Sequence, residues 1–85
     1  MLATHPDILA VTVAQTLDAR DMPCPLPLLK AKLALRELAS GERLRVVATD
    51  AGSWRDIPAY ARLSGQILLG ASVLDDEYLF LLEKA

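Results

Sequence analysis

Apolar and polar positions alternate in some stretches of this chain and recur at helical spacing in others. Val11, Val13 and Leu17 fall on one side, with Thr12, Ala14 and Thr16 on the other and Gln15 interrupting the apolar side. This predicts a half-buried strand. Asp18 to Cys24 collects Asp, Arg and Pro and reads as a loop. Leu28, Ala31, Leu35 and Leu38 then form one helical stripe, in a stretch without a breaker to Ala39. Pro25 suits the first turn of that helix, where a missing N–H has no partner to lose, which places Cys24 at the N-cap. Gly41 is expected to close it. From Glu42 to Asp50, Leu44, Val46 and Ala48 alternate with Arg45, Val47 and Thr49, a second strand. After the turn Asp50-Ala51-Gly52-Ser53, the Ser53/Asp56 spacing resembles a capping box with Asp in place of Glu. A second helix is expected to about Ser64, closed by Gly65. Pro58 lies beyond its first turn and predicts a kink or an initial 3₁₀ turn. Gln66–Leu74, interrupted by Gly70, and Glu77–Glu83 flank Asp75-Asp76 and predict a hairpin.

The order β-α-β-α-β-β belongs to the α+β class. It predicts a two-layer α/β sandwich, a mixed four-stranded sheet with two helices on one face, with right-handed crossovers wherever parallel strands are joined. Met1–Ala10 shows no period and is expected to be a flexible tail; residues 11–85 form a single domain. The helix-free face would carry Val47, Leu79, Leu81 and Ala14, either a contact patch or a few scattered apolar residues. Trp54 and Tyr60 on the second helix are expected to pack into the core.

Composition narrows the function. A chain of 85 residues holds one small domain, and 53% hydrophobic against 24% charged residues supplies a core rather than a disordered chain. A single cysteine excludes an intrachain disulfide, a CxxC pair and a cysteine-cluster zinc site, and a single histidine, His5, excludes a multi-histidine metal centre. A net charge of −2 and a pI near 5.2 argue against direct nucleic-acid binding. The longest uncharged run, Leu63–Leu74, has 12 residues, short of the roughly 20 that a spanning helix needs. The apolar run Ile8–Leu17 lacks a preceding basic region, so neither membrane insertion nor a signal peptide is expected. A cytoplasmic location would keep the lone thiol reduced.

Cys24 is the candidate for chemistry. A free cysteine is ordinarily a small buried hydrophobe, but Cys24 lies in a polar turn between Pro23 and Pro25, with Pro27 beyond, at a predicted helix N-terminus. There the helix dipole can bring a thiol pKa from about 8.5 to roughly 3.5–7.5. Pro25 and Pro27 have no N–H to give, so an anion would lean on Leu26, Leu28 and the dipole. Hydrolysis needs a general base, and the one histidine sits in the tail. Disulfide exchange normally needs a resolving cysteine, and the sequence has none. What remains is a cysteine that accepts a group and hands it on. Sulfane sulfur is the obvious group, since thiolates attack persulfides readily.

Cys24-Pro25-Leu26-Pro27 resembles the CPxP motif of the TusA/SirA-like sulfur carriers. Leu17-Asp18-Ala19, Ser40-Gly41-Glu42, Ala48-Thr49-Asp50 and Arg55-Asp56-Ile57-Pro58 resemble that family's further motifs, in order, across about Gln15 to Lys84. The resemblance implies the same two-layer fold and a persulfide on Cys24. The sulfur would come from a cysteine desulfurase or rhodanese-like donor and pass to an acceptor protein of a sulfur relay. Pro25 and Pro27 would set the loop and helix start, Asp50, Arg55 and Asp56 would be structural or docking residues, and Leu26, Lys30 and Lys32 would meet the partner. No cofactor is implied, and the protein would be a carrier acting with partners, as a monomer or weak dimer. Asp21-Met22-Pro23 stands where the family commonly has glycine and a basic residue, and Leu26 where it often has a polar one. The thiol should therefore be less acidified than usual. The alternative function is a regulatory or protein-binding module whose cysteine is vestigial or senses oxidants, stopping at sulfenic acid or a mixed disulfide.

Overall fold

The structure, a computed structural model, describes residues 11–85; the expected tail and His5 lie outside the described residues. Its elements are β1 (Gln15–Ala19), α1 (Leu26–Arg36), β2 (Arg43–Ala48), α2 (Ser53–Ser64), β3 (Ile67–Leu74) and β4 (Glu77–Glu83). The sheet order is β1-β2-β4-β3; β1 and β2 are parallel, and β4 runs antiparallel to both its neighbours. This is the expected α+β two-layer fold with a mixed four-stranded sheet and two helices. No helix among the described residues is long and apolar enough to cross a membrane.

The helix-facing core follows from period-2 alternation meeting two helical stripes. Leu44, Val46 and Ala48 of β2 and Phe80 and Leu82 of β4 are buried with Ala31, Ala34 and Leu35 of α1 and Ile57 and Ala61 of α2. Phe80 and Leu82 are fully inaccessible, as are Leu44 and Val46. Gly70, which interrupts the apolar segment, lies at a break in the pairing: the β3–β4 register shifts between Leu68 and Gly70. That extra residue lets Leu68 and Ala71, an odd number of positions apart, both pack on the helix-side core. Asp75 and Asp76, with φ of 51° and 64°, make the two-residue hairpin turn.

Several expectations change in detail. β1 starts at Gln15 rather than Val11, and its apolar side divides: Leu17 packs on the helix-side core, whereas Val11 and Val13 join a second cluster. That second cluster is Val47, Leu79 and Leu81, each at most 6% accessible, with Leu69 and Leu74 beside them. The helix-free face is therefore not an exposed patch at these residues, and Ala14 is exposed and outside the cluster. The Arg45 guanidinium donates to Val11 O at 2.7 Å and pins the entering chain there.

α1 ends at Arg36, not Ala39, because Glu37 and Leu38 donate to carbonyls three residues back and Ala39 N–H turns to the Glu42 carboxylate at 2.7 Å. Gly41 lies beyond that closure, with φ 86°, and its N–H pairs with Lys84 O rather than capping α1. Gly65 does cap α2, with φ 81°. Pro58 sits within α2, which is entered through three successive i→i−3 bonds from Ser53, Trp54 and Arg55. Trp54 is 43% exposed, yet its ring lies 5.9 Å from Tyr78 and 6.0 Å from Phe80, so it lids the core rather than entering it. Tyr60 packs half-buried against the core.

Candidate functional site

Parallel pairing of β1 with β2 sets the loops after both strands side by side at one sheet edge. The loop after β1 carries Cys24, and the loop after β2 carries Asp50 and leads into α2. Polar bonds join them: Thr49 Oγ1 accepts from Asp21 N–H at 2.8 Å, and Asp50 Oδ2 from Cys24 N–H at 3.1 Å. Asp50 also organises the start of α2. Its Oδ1 accepts from Gly52 N–H, and its carbonyl accepts from both the Ser53 hydroxyl and the Ser53 N–H. The Ser53 hydroxyl, in a residue 2% accessible, thus turns back to Asp50 instead of capping the helix ahead of it.

Cys24 is exposed and free. Its peptide bond to Pro25 is cis. Pro25, not Cys24, is the N-cap of α1. Leu26 N–H is already engaged with Pro23 O at 2.9 Å, so one of the donors expected to steady a thiolate is occupied. The thiol instead donates to Asp56 Oδ2 at 2.7 Å, and Arg55 Nε holds the other oxygen of Asp56 at 3.2 Å.

The electrostatics follow this geometry and reverse the expected acidification. The hydrogen bond to Asp56 first, then desolvation, then the charges of Asp56 and Asp50 push the Cys24 thiol above its ordinary value, against a smaller opposing pull from Arg55. The same bond, followed by the one from Arg55, holds the Asp56 carboxyl below its ordinary range. Asp56, lowered by folding, stabilises the fold above its unfolded value, and this is lost as pH falls through the folded one. Cys24, raised by folding, contributes below its unfolded value and loses this as pH rises through the folded one. The pairing is therefore strongest between these limits.

Gly52 was not singled out by the sequence pattern, yet the site needs it. A Cβ there would meet Cys24 Cβ at 3.0 Å, Cys24 Sγ at 3.1 Å and Asp50 Oδ1 at 3.0 Å. Gly52→Ala is expected to displace the Cys24 side chain from Asp56 and to destabilise the protein by about 1–3 kcal/mol. Urea unfolding together with the alkylation rate of Cys24 measures both effects.

The remaining expected site residues divide. Pro25 and Pro27 sit at the helix start, with Pro27 buried; Asp50, Arg55 and Asp56 come together around Cys24. Lys32 lies with its ammonium 5.2 Å from the centre of the Tyr60 ring, and Lys30 is exposed. Leu26, Leu29 and Leu33, at 39%, 45% and 53% accessible, form a second apolar stripe on the outer side of α1 that begins two residues from Cys24. A cleft of about 390 Å³ between the helices is lined by Leu28, Lys32, Asp56, Tyr60 and Leu63. Among the described residues no group of three His, Cys, Asp or Glu side chains is placed to hold a metal ion.

The described residues thus form a small α+β domain that presents one exposed cysteine where two loops meet beside a helix start. A family model, sulfurtransferase TusA, matches residues 15–84, and the chain belongs to this TusA/SirA-like family. It is 41% identical over 71 residues to the sulfur carrier protein TusA of Allochromatium vinosum, covering 84% of this chain and 93% of that one. It is 45% identical over 62 residues to a putative sulfur carrier protein of Neisseria meningitidis, covering 73% and 84%. The crystal structure of a SirA-like protein from Desulfitobacterium hafniense superposes with a TM-score of 0.74 at 25% identity, covering 81% and 95%.

Proposed function

We propose that this protein is a sulfur carrier that takes up sulfane sulfur on Cys24 and delivers it to a partner protein. The observation that carries the reading is the exposed Cys24 thiol within the family's CPxP segment, in a chain with no other cysteine. In loading, the Cys24 sulfur attacks the terminal sulfur of a donor persulfide. The donor's S–S bond breaks, a new S–S bond forms on Cys24, and the thiol proton ends on the donor's departing sulfur. Nothing is oxidised or reduced overall. Unloading repeats the exchange, with an acceptor thiolate attacking the terminal sulfur of Cys24–S–SH.

A cysteine desulfurase or a rhodanese-like protein would fill the donor role, and a thiol protein of a sulfur relay the acceptor role. Both must reach Cys24, so the adjoining stripe of Leu26, Leu29 and Leu33, with Lys30 and Lys32 nearby, is the docking surface. The cytoplasm, where a lone thiol stays reduced, is the compartment that suits this chemistry. A cysteine that only senses oxidants would stop at sulfenic acid or a mixed disulfide and hand no sulfur to a second protein. The test is onward transfer. Protein carrying radiolabelled sulfur is mixed with candidate acceptor proteins, and the label is expected to move to an acceptor thiol and leave Cys24 free. Label that reaches no acceptor and is released only by small reductants would contradict the reading.

A further inference from the structure

Asp56 was expected to be structural or to meet a partner, but it is the group nearest the reactive sulfur. The charges acting on Sγ come from two segments: Asp56 and Arg55 from α2, and Asp50 from the loop after β2. Two of the three are negative. The hydrogen between Cys24 Sγ and Asp56 Oδ2, at 2.7 Å, is what makes the contact attractive. Without that hydrogen, a negative sulfur would face a carboxylate that Arg55 helps keep ionised.

Loading removes that hydrogen. A persulfide gives up its proton more readily than a thiol, and its charge resides on the terminal sulfur. The sulfur bound to the Cys24 Cβ is then bonded on both sides and has nothing to donate to Asp56. The terminal sulfur, if left near Asp56 and Asp50, meets two carboxylates. Cys24 is exposed, so rotation toward solvent is open to it. We propose that Asp56 is a positioning residue that distinguishes the two states of the carrier: it draws the empty thiol in through a hydrogen bond and turns the loaded persulfide outward by repulsion. The empty carrier is thereby kept unreactive and the loaded one presents its sulfur. The second half of this assignment rests on the carrier reading; the first half does not.

The test compares the parent with Asp56→Asn, which keeps the shape and removes the charge. For the empty protein, the rate of Cys24 alkylation is followed against pH. The parent's midpoint is expected above the ordinary thiol value of about 8.5, and Asp56→Asn is expected to move it down, raising the rate near neutrality several-fold. Arg55→Gln, at a side chain 80% exposed, should move it the other way. Both shifts should shrink as salt is added. A purely structural role for Asp56 would lower the melting temperature without this opposed pair of shifts. For the loaded protein, the rate at which cyanide removes the terminal sulfur is expected to fall in Asp56→Asn. An unchanged alkylation midpoint in Asp56→Asn overturns the proposal, as does an unchanged cyanide rate in a protein that loads normally. Should no sulfur load on the parent, the carrier reading and the outward turn fall together, while the alkylation profile still decides the hold on the empty thiol. Should Asp56→Asn not fold, Arg55→Gln and the salt dependence decide it: no upward shift contradicts the proposal.

Discussion

Cys24→Ser is expected to fold like the parent and to carry no sulfur. The two halves of this result have separate causes. Cys24 is exposed and belongs to neither apolar cluster, so nothing in the core depends on it. A serine hydroxyl can still donate to Asp56, and the backbone N–H bond to Asp50 is untouched. The change in stability should stay within about 0.5 kcal/mol, as for surface positions generally. Sulfur loading should vanish, because a serine oxygen does not attack a persulfide and the sequence holds no other thiol. Thermal melting and donor-dependent incorporation of radiolabelled sulfur measure the two halves independently. A large loss of stability would make Cys24 a structural residue, and retained label would place the sulfur elsewhere.

The largest effect on stability is expected from Phe80→Ala. Phe80 is fully buried at the centre of the helix-side core, pairs with Val46 on β2 and Ala71 on β3, and lies under Trp54. Truncation removes the ring and leaves a cavity that β2, β3 and α2 cannot all close, at a cost of about 3–5 kcal/mol. A small domain has only about 5–15 kcal/mol in total, so a substantial fraction of the stability is lost and melting should fall by more than roughly 10 °C. Trp54 is the only tryptophan and loses one of its two ring contacts, so its fluorescence reports the change directly. The site should suffer too, since Trp54 stands two residues from Asp56 on the first turn of α2. A shift in urea midpoint of the expected size, with Cys24 alkylation altered in the same protein, would link core and site.

Much of the fold was legible because burial on one side writes itself into the sequence. β2 and β4 place Leu44, Val46 and Ala48, and Phe80 and Leu82, at period two on the helix side, while Val47, Leu79 and Leu81 between them are buried on the other side. α2 shows Ile57 and Ala61 one turn apart above Ser53, and all three are buried. β1 was misread in part because Val11 and Val13 are in phase with Leu17, yet the chain before Gln15 leaves the strand and carries them to the opposite face. The length of α1 was overread because Leu38 remains half-buried and so fits the stripe, although the backbone has closed at Arg36.

The site was legible at its centre and not around it. Cys24 was marked by being the one cysteine, set among prolines before a helix, and by the resemblance of its segment to the CPxP motif. Asp56 is 32 residues away, and no local pattern records a contact across that distance. Topology carried a usable signal, for parallel β1 and β2 bring the loops that follow them together, so residues after Ala48 were candidates for contact with residues after Ala19. The direction of the Cys24 shift was missed for the same reason: helix position argued for a thiolate, and a tertiary carboxylate decided for the thiol. Gly52 left no trace, since its backbone is helical, with φ of −60°, and only the closeness of Cys24 requires it.

The central claim is that Cys24 accepts sulfane sulfur, and the most direct measurement is the intact mass of the protein under non-reducing conditions. The protein is incubated with a cysteine desulfurase and free cysteine, beside Cys24→Ser. The expected result is a gain of one sulfur atom on the parent alone, localised to the Cys24 peptide and removed by dithiothreitol. An unchanged parent mass with desulfurase and rhodanese-type donors alike, or an equal gain on Cys24→Ser, would contradict it.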